Sequence, residues 1–230
     1  MQTYPVILKP TTSALSVLPS KNQTKRRHKV GPSELVALCK IDKLVGEEIM
    51  SSVPVKIEGH NYEPDMVYVN KDKGICIDIE VDEPYSAGGR PTHYLLPDGT
   101  NKDSERNKHF VNAGWYVVRF SEEQMYTQTA SCVKEIYKLL LEIGAISKMP
   151  QKLADAHDLA HQQRWTENDS CHMKRGKYRT NYLKYDPSNF GLVGYIECTK
   201  LIIPIAIRSI TSKRLRNEMI EQLKGFFFGR

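Results

Sequence analysis

The run Ile75-Cys76-Ile77-Asp78-Ile79-Glu80-Val81-Asp82 alternates strictly between apolar and other residues. Successive side chains of a strand leave opposite faces, so Ile75, Ile77, Ile79 and Val81 point one way and Cys76, Asp78, Glu80 and Asp82 the other. Three carboxylates on one face repel one another, and no lysine in the run offsets them. A second strand-like run, Met66-Val67-Tyr68-Val69-Asn70, precedes it, separated by the turn signal Lys71-Asp72-Lys73-Gly74. Pro64-Asp65 heads that first run and brings a further carboxylate from a neighbouring strand. Together these make a cluster of hard oxygen ligands of the kind a divalent cation prefers. The plainer alternative is a solvated sheet face, with Asp65 a turn acid after Pro64.

Around this hairpin the periodicity predicts a helix opening at Pro32-Ser33-Glu34. Ser33 would be its N-cap, and Leu35, Leu38, Ile41, Leu44 and Ile49 its core-facing stripe. Val53 to Ile57 reads as a short strand. Residues 83–102 carry Pro84, Gly88-Gly89, Pro91, Pro97 and Gly99, a long irregular loop beside the acidic strand, and loops of that length in compact domains are functional or mobile. A helix over Asp103 to Ala113, capped by Asp103, leads to the strand Gly114-Trp115-Tyr116-Val117-Val118-Arg119-Phe120, with Trp115 in the core. Ser121-Glu122-Glu123 then starts a helix that runs to about Gly144. This order predicts an α/β sandwich around a mixed sheet.

Three segments follow. Residues 1–31 read as a flexible arm ending in the basic cluster Lys25-Arg26-Arg27-His28-Lys29, either a solvated tail or a phosphate-contacting arm. Residues 32–148 form the α/β domain, and 149–230 a C-terminal extension rich in helix. In the extension, helices are expected over Lys152 to Trp165 and Asp169 to Leu183. A turn at Asp186-Pro187-Ser188-Asn189, a strand over Leu192 to Cys198 and an amphipathic helix from Ser212 to about Phe226 come after them.

The formal charge of +6 and a pI near 8.9 suit a polyanionic partner without demanding one. Five scattered cysteines, with no CxxC pair, argue against a zinc ribbon or a disulfide framework and for a reducing, cytoplasmic setting. No signal-peptide pattern opens the chain, and the apolar run Leu201 to Ile207 is too short to span a bilayer, so no membrane partner is expected. His157, His161, Cys171 and His172 invite a zinc reading, but the i, i+4 histidine pair has no HExxH context and no second properly spaced pair, and a surface helix with incidental histidines is favoured. Lys174-Arg175-Gly176-Lys177-Tyr178-Arg179 either tracks a nucleic-acid backbone or is an exposed helix face.

The segment from Pro64 to Gln124 resembles the PD-(D/E)xK nuclease superfamily, nearest to very-short-patch-repair-like and small restriction-endonuclease-like proteins. The resemblance rests on Pro64-Asp65 followed by Glu80-Val81-Asp82, then Asp103-Ser104-Glu105-Arg106-Asn107, then the Gly114 to Phe120 strand and an acidic helix start. It implies a restriction-endonuclease-like fold and a metal-dependent endonuclease hydrolysing phosphodiester bonds in DNA, in repair, restriction and defence, or transposition. The implied cofactor is Mg²⁺, with Mn²⁺ as substitute, held by Asp65 and Glu80. Asp82 is an auxiliary acid and His93 sits where the repair enzymes place a general base. Arg106 or Lys108 would contact phosphate, and Lys174, Arg175, Lys177 and Arg179 would extend the nucleic-acid surface. The implied partners are DNA and other protein subunits, and a homodimer would supply two active sites for a double-strand break. One departure stands out: most superfamily members carry lysine where Asp82 stands. A catalytically inactive nuclease-fold DNA-binding or scaffold subunit is therefore the rival reading, and an acidic face for a basic protein partner is another.

Overall fold

In the computed structural model, which describes residues 2–12, 18, 32–51 and 54–183, the acidic run is the central strand of a five-stranded mixed sheet. The chain contributes β1 (Thr3–Tyr4), β2 (Val6–Leu8), α1 (Pro32–Val45), β3 (Ile49–Ser51), β4 (Val55–Ile57), β5 (His60–Tyr62), β6 (Met66–Asn70) and β7 (Ile75–Asp82). Then come α2 (Ser104–Asn112), β8 (Tyr116–Ser121), α3 (Glu122–Thr127), α4 (Thr129–Glu142), α5 (Gln151–Ala154), β9 (Gln162–Gln163) and α6 (Glu167–Arg175). The main sheet runs β2-β8-β7-β6-β3. Only the β7–β8 pair is parallel, because α2 and the preceding loop carry the chain back across the sheet.

Strict alternation in β7 sorts the two layers. Ile77, Ile79 and Val81 pack with Leu38, Ile41, Val133, Ile136 and Leu140 under α1 and α4. On the opposite face Cys76 joins Val67, Val117, Phe110 and Trp115 beneath α2 and the β4–β5 hairpin. Trp115 is fully buried, with its ring edge-on to Phe110 at 5.4 Å between centroids. The β6–β7 turn is where expected: Gly74 takes φ 62°, a conformation that favours glycine, and its N–H bonds the Lys71 carbonyl at 3.3 Å.

Several expectations need correction. Residues 3–8 are no loose arm: β2 forms the edge of the main sheet against β8, and β1 pairs with β9. Their alternation is too short to stand out in sequence. Ser33 lies inside α1 instead of capping it, its hydroxyl donating to Glu122 Oε1 at 2.6 Å. The helix after β8 breaks at Gln128 into α3 and α4, and Ser121 with Gln124 forms a capping box at its start. Lys152 to Trp165 is helical only through Ala154, so His157 and His161 share no helix face. In place of one helix over 169–183 there are α6, which begins at Glu167 and ends at Arg175, and a 3₁₀ turn over Tyr178–Asn181.

The described part of the extension folds back onto the sheet domain. Leu153 and Leu159 enter the main core. Trp165 packs on Tyr4, and its indole N–H holds the Thr92 carbonyl at 2.9 Å. The basic cluster at 25–29 and every element expected beyond residue 183 lie outside the described residues. No helix among the described residues is long and apolar enough to cross a membrane.

Candidate active site

Asp78, Glu80 and Asp82 leave the same face of β7, and all three are buried. The solvated-face alternative is thereby excluded. Burying an anion without a partner is strongly unfavourable, so the fold must supply cations. It supplies two. Arg106, on the first turns of α2, donates to both Asp78 oxygens at 2.6 and 3.0 Å and to Glu80 Oε1 at 2.7 Å. Arg119, opposite Glu80 on β8, gives Nε and Nη2 to Asp82 at 3.1 and 2.6 Å and Nη1 to Asn107 at 3.1 Å. Asp82 also accepts the Tyr4 hydroxyl at 2.9 Å. Burial opposes both arginine charges, yet the facing carboxylates raise both guanidinium pKa values.

Asp65 comes alongside because β6 pairs antiparallel with β7, Met66 opposite Ile79. Its Oδ2 accepts the Val81 N–H at 2.8 Å, and its own N–H reaches Glu80 Oε1 at 3.3 Å. Burial, then the repulsion of Glu80 and Glu34, pushes the Asp65 carboxyl well above its ordinary range. Burial likewise pushes Glu80 up to about 8 despite Arg106. Asp82 behaves oppositely: burial would raise it, but Arg119 and then His93 hold it below the usual carboxylate value. Asp82 is therefore a satisfied anion, whereas burial works against the charge of the Asp65–Glu80 pair.

His93 reaches this cluster from the loop, in a left-handed conformation at φ 50°. Its Nδ1 lies 2.8 Å from Asp103 Oδ2 and 3.4 Å from Asp82 Oδ1, and its Nε2 lies 3.6 Å from Glu83. Burial works against the imidazolium, but Asp82, Asp103 and Glu83 raise its pKa well above the ordinary value. Nδ1 also lies 3.3 Å from Arg119 Nη2, so the ring is set between the acids and a guanidinium. Asp103 occupies the N-cap position of α2 without capping it, its side chain serving His93 and Arg119 instead. The expected capping role is thus replaced by an electrostatic one.

The remaining candidates separate. Lys108 is exposed on α2 and pairs with Glu105 at 3.3 Å, away from the carboxylates. Lys174, Arg175 and Lys177 are exposed at the end of α6 and just beyond it. Arg179 is buried: its Nε and Nη2 grip Glu122 at 2.6 Å each, and Nη1 holds the Tyr85 carbonyl at 2.8 Å. Arg119 and Glu34 are site residues to which the sequence pattern assigns no site role, and Asp103 one to which it assigns only a cap. For Arg119 a signal existed, since strand alternation puts it on the face of Trp115 and Val117, where a cation must meet an anion.

Among the described residues no three or more histidine, cysteine or acidic side chains converge as a closed metal cage. Comparison of the chain with protein-family models, curated proteins and solved structures returns no match.

Proposed function

We propose that the chain is a metal-dependent endonuclease of the PD-(D/E)xK, restriction-endonuclease-like type, acting on DNA phosphodiesters. The observation that carries the reading is the Asp65–Glu80 pair: Asp65, at the head of β6, gives its N–H to Glu80 Oε1 and accepts the Val81 N–H on Oδ2, and burial and neighbouring charge raise both carboxyl pKa values. The motif fragments named above also fall on consecutive elements, β6, β7, α2 and β8, around that pair.

The donor set fits Mg²⁺, a hard cation commonly held by one or two carboxylates, with water and substrate phosphate completing its shell. Asp65 and Glu80 are the residues that would hold it, Mn²⁺ substituting. When bound, the ion would polarise the phosphate and acidify water at neutral pH. The chain's own residues supply the rest. Arg106 fixes the Glu80 carboxylate through Oε1. Arg119, locked by Asp82, adds positive charge 3.7 Å from Glu80 Oε2, and His93, held by Asp103, is the residue placed for proton transfer. Lys174, Arg175 and Lys177 provide an exposed basic face for the DNA backbone. Asp82 acts through Arg119 and is a positioning residue.

Plasmid nicking with Mg²⁺ or Mn²⁺, wild type against Glu80→Ala, tests the reading: the wild type should nick and the variant should not. If neither protein cuts any DNA form with either ion, the enzyme reading fails. The second reading, a nuclease-fold DNA-binding or scaffold subunit without catalysis, draws on the complete engagement of Asp82 by Arg119 and Tyr4. It predicts DNA binding that survives Glu80→Ala, with no cleavage by the wild type. Calorimetric Mn²⁺ titration of wild type and Asp65→Ala checks the metal separately.

A further inference from the structure

A second polar feature lies on the other side of α2. A cleft of about 680 Å³ opens between the start of the chain and α2, lined among others by Gln2, Lys9, Asn101, Ser104, Lys108 and Arg164. Three basic side chains border it and no acidic one does. Leu8 and Val111 give it an apolar wall.

Arg164 is 7% exposed, its Nη1 donating to Gln2 Oε1 at 2.8 Å and its guanidinium lying 5.5 Å from the Tyr4 ring centroid. Its Nε and Nη2, by contrast, are buried without any hydrogen-bond partner. Those two nitrogens form the parallel fork with which a guanidinium grips an oxyanion. Two other buried arginines use that same edge: Arg119 gives Nε and Nη2 to Asp82, and Arg179 gives Nε and Nη2 to Glu122. In each case a carboxylate of the chain fills the fork. At Arg164 none does, and an unfilled charged donor in the interior carries a desolvation penalty that a ligand would relieve.

We infer that Arg164 anchors a phosphate-binding site in this cleft, sized for a nucleotide: the guanidinium fork, closed to water in this structure, takes two phosphate oxygens when the side chains around it part, and Leu8 and Val111 cover the less polar part of the ligand. Phosphate is preferred to carboxylate because Lys9 and Lys108 add charge at the rim, although each is also paired on the surface, with Glu142 and Glu105. Asn101 and Ser104 offer neutral hydrogen bonds beside it. The site does not depend on the metal reading: it uses none of Asp65, Glu80 or His93. It reaches the carboxylate cluster through Asn107, which borders the cleft and accepts Arg119 Nη1.

Calorimetry of the full chain at low ionic strength, with EDTA present to silence any cation site, tests this. The probes are inorganic phosphate, deoxyadenosine monophosphate, acetate, and one oligodeoxynucleotide with and without a 5′-phosphate. Phosphate and the nucleotide should bind, and Arg164→Lys, which keeps the charge but loses the fork, should weaken both about tenfold. Tighter binding of the 5′-phosphorylated strand than of its 5′-hydroxyl twin would assign the site to strand ends; equal strand binding with a strong mononucleotide signal would assign it to free nucleotide. Should Arg164→Lys not fold, two measurements remain: Lys108→Ala, at an exposed position, should lower affinity about threefold, and the nucleotide should raise the wild-type melting temperature. The inference is overturned if neither phosphate nor nucleotide gives saturable binding, if acetate binds as tightly as phosphate, or if Arg164→Lys binds unchanged.

Discussion

Arg119 grips both carboxylate oxygens of Asp82 from the neighbouring parallel strand, and neither side chain has any exposure to solvent. The cation that balances Asp82 thus comes from β8. The pair has the geometry of a structural tie, and removing one partner would strand the other charge. Asp82→Ala should therefore destabilise the protein by about 3–5 kcal/mol in urea unfolding. The double variant Asp82→Leu with Arg119→Met should recover most of that loss. Equal destabilisation by the single and double changes would argue against the tie.

Glu80 titrates in the opposite sense to Asp82. Its folded value of about 8 lies above the ordinary 4.5, so the folded state binds the proton more tightly than the unfolded chain does. Its stabilising contribution is complete below about pH 4.5 and is lost as pH rises through about 8. Glu80→Gln should flatten that part of the stability profile and be more stable than wild type at about pH 9, by on the order of 1–2 kcal/mol. Thermal melts across that range in EDTA check the sign. Mn²⁺ affinity of the wild type should rise over the same window, because the ion competes with the proton for the carboxylates.

His93 should remain an imidazolium beyond the usual range, as its three acidic neighbours require. The stabilisation it provides is complete below the ordinary 6.5 and fades as pH rises through the raised folded value. Nitrogen-detected imidazole resonances should show the wild-type ring still doubly protonated above its ordinary midpoint of 6.5, and Asp103→Asn should lower its midpoint. A wild-type ring that titrates at or below 6.5 would overturn this and leave His93 as a candidate base.

The basic run after residue 173 divides into two behaviours. Lys174→Ala and Lys177→Ala, at exposed positions, should leave stability within about 0.5 kcal/mol and each lower the salt slope of DNA binding by about one. Arg179→Ala should instead cost about 3–5 kcal/mol, since it strands Glu122 in the interior. Urea unfolding and salt-dependent fluorescence anisotropy separate the two.

Much of this was legible in the chain. Period-2 alternation fixed the face of each β7 residue, and glycine and proline marked the turn at 71–74 and the loop after Asp82. What escaped were relations between distant positions. The alternation assigns Arg119 a face but not a partner, and Asp103 looks like a cap because aspartate commonly caps helices. That His93 and Arg119 would draw its carboxylate away depends on a loop whose course no local pattern reveals. Arg179 sits in a run of basic residues that reads as uniform, yet Glu122 lies 57 positions earlier and only the tertiary fold joins them. The edge strands β1, β2 and β9 are two or three residues long, below the length at which periodicity carries information.

The pairing of Thr3 with Gln163 has a consequence for the order of folding. Tyr4 bonds Asp82, and Trp165 covers Tyr4, so the lid over the buried charges comes from both extremes of a loop about 160 residues long. Closing so large a loop is entropically late. While the chain is being synthesised, the sheet and α2 can assemble around Arg106 and Arg119, but the Asp82 pair keeps access to water until residue 165 has emerged. Dehydration of the site would then be the last step of maturation, and a nascent chain stopped short of that point would carry every acid of the cluster in a wet, weakly interacting form.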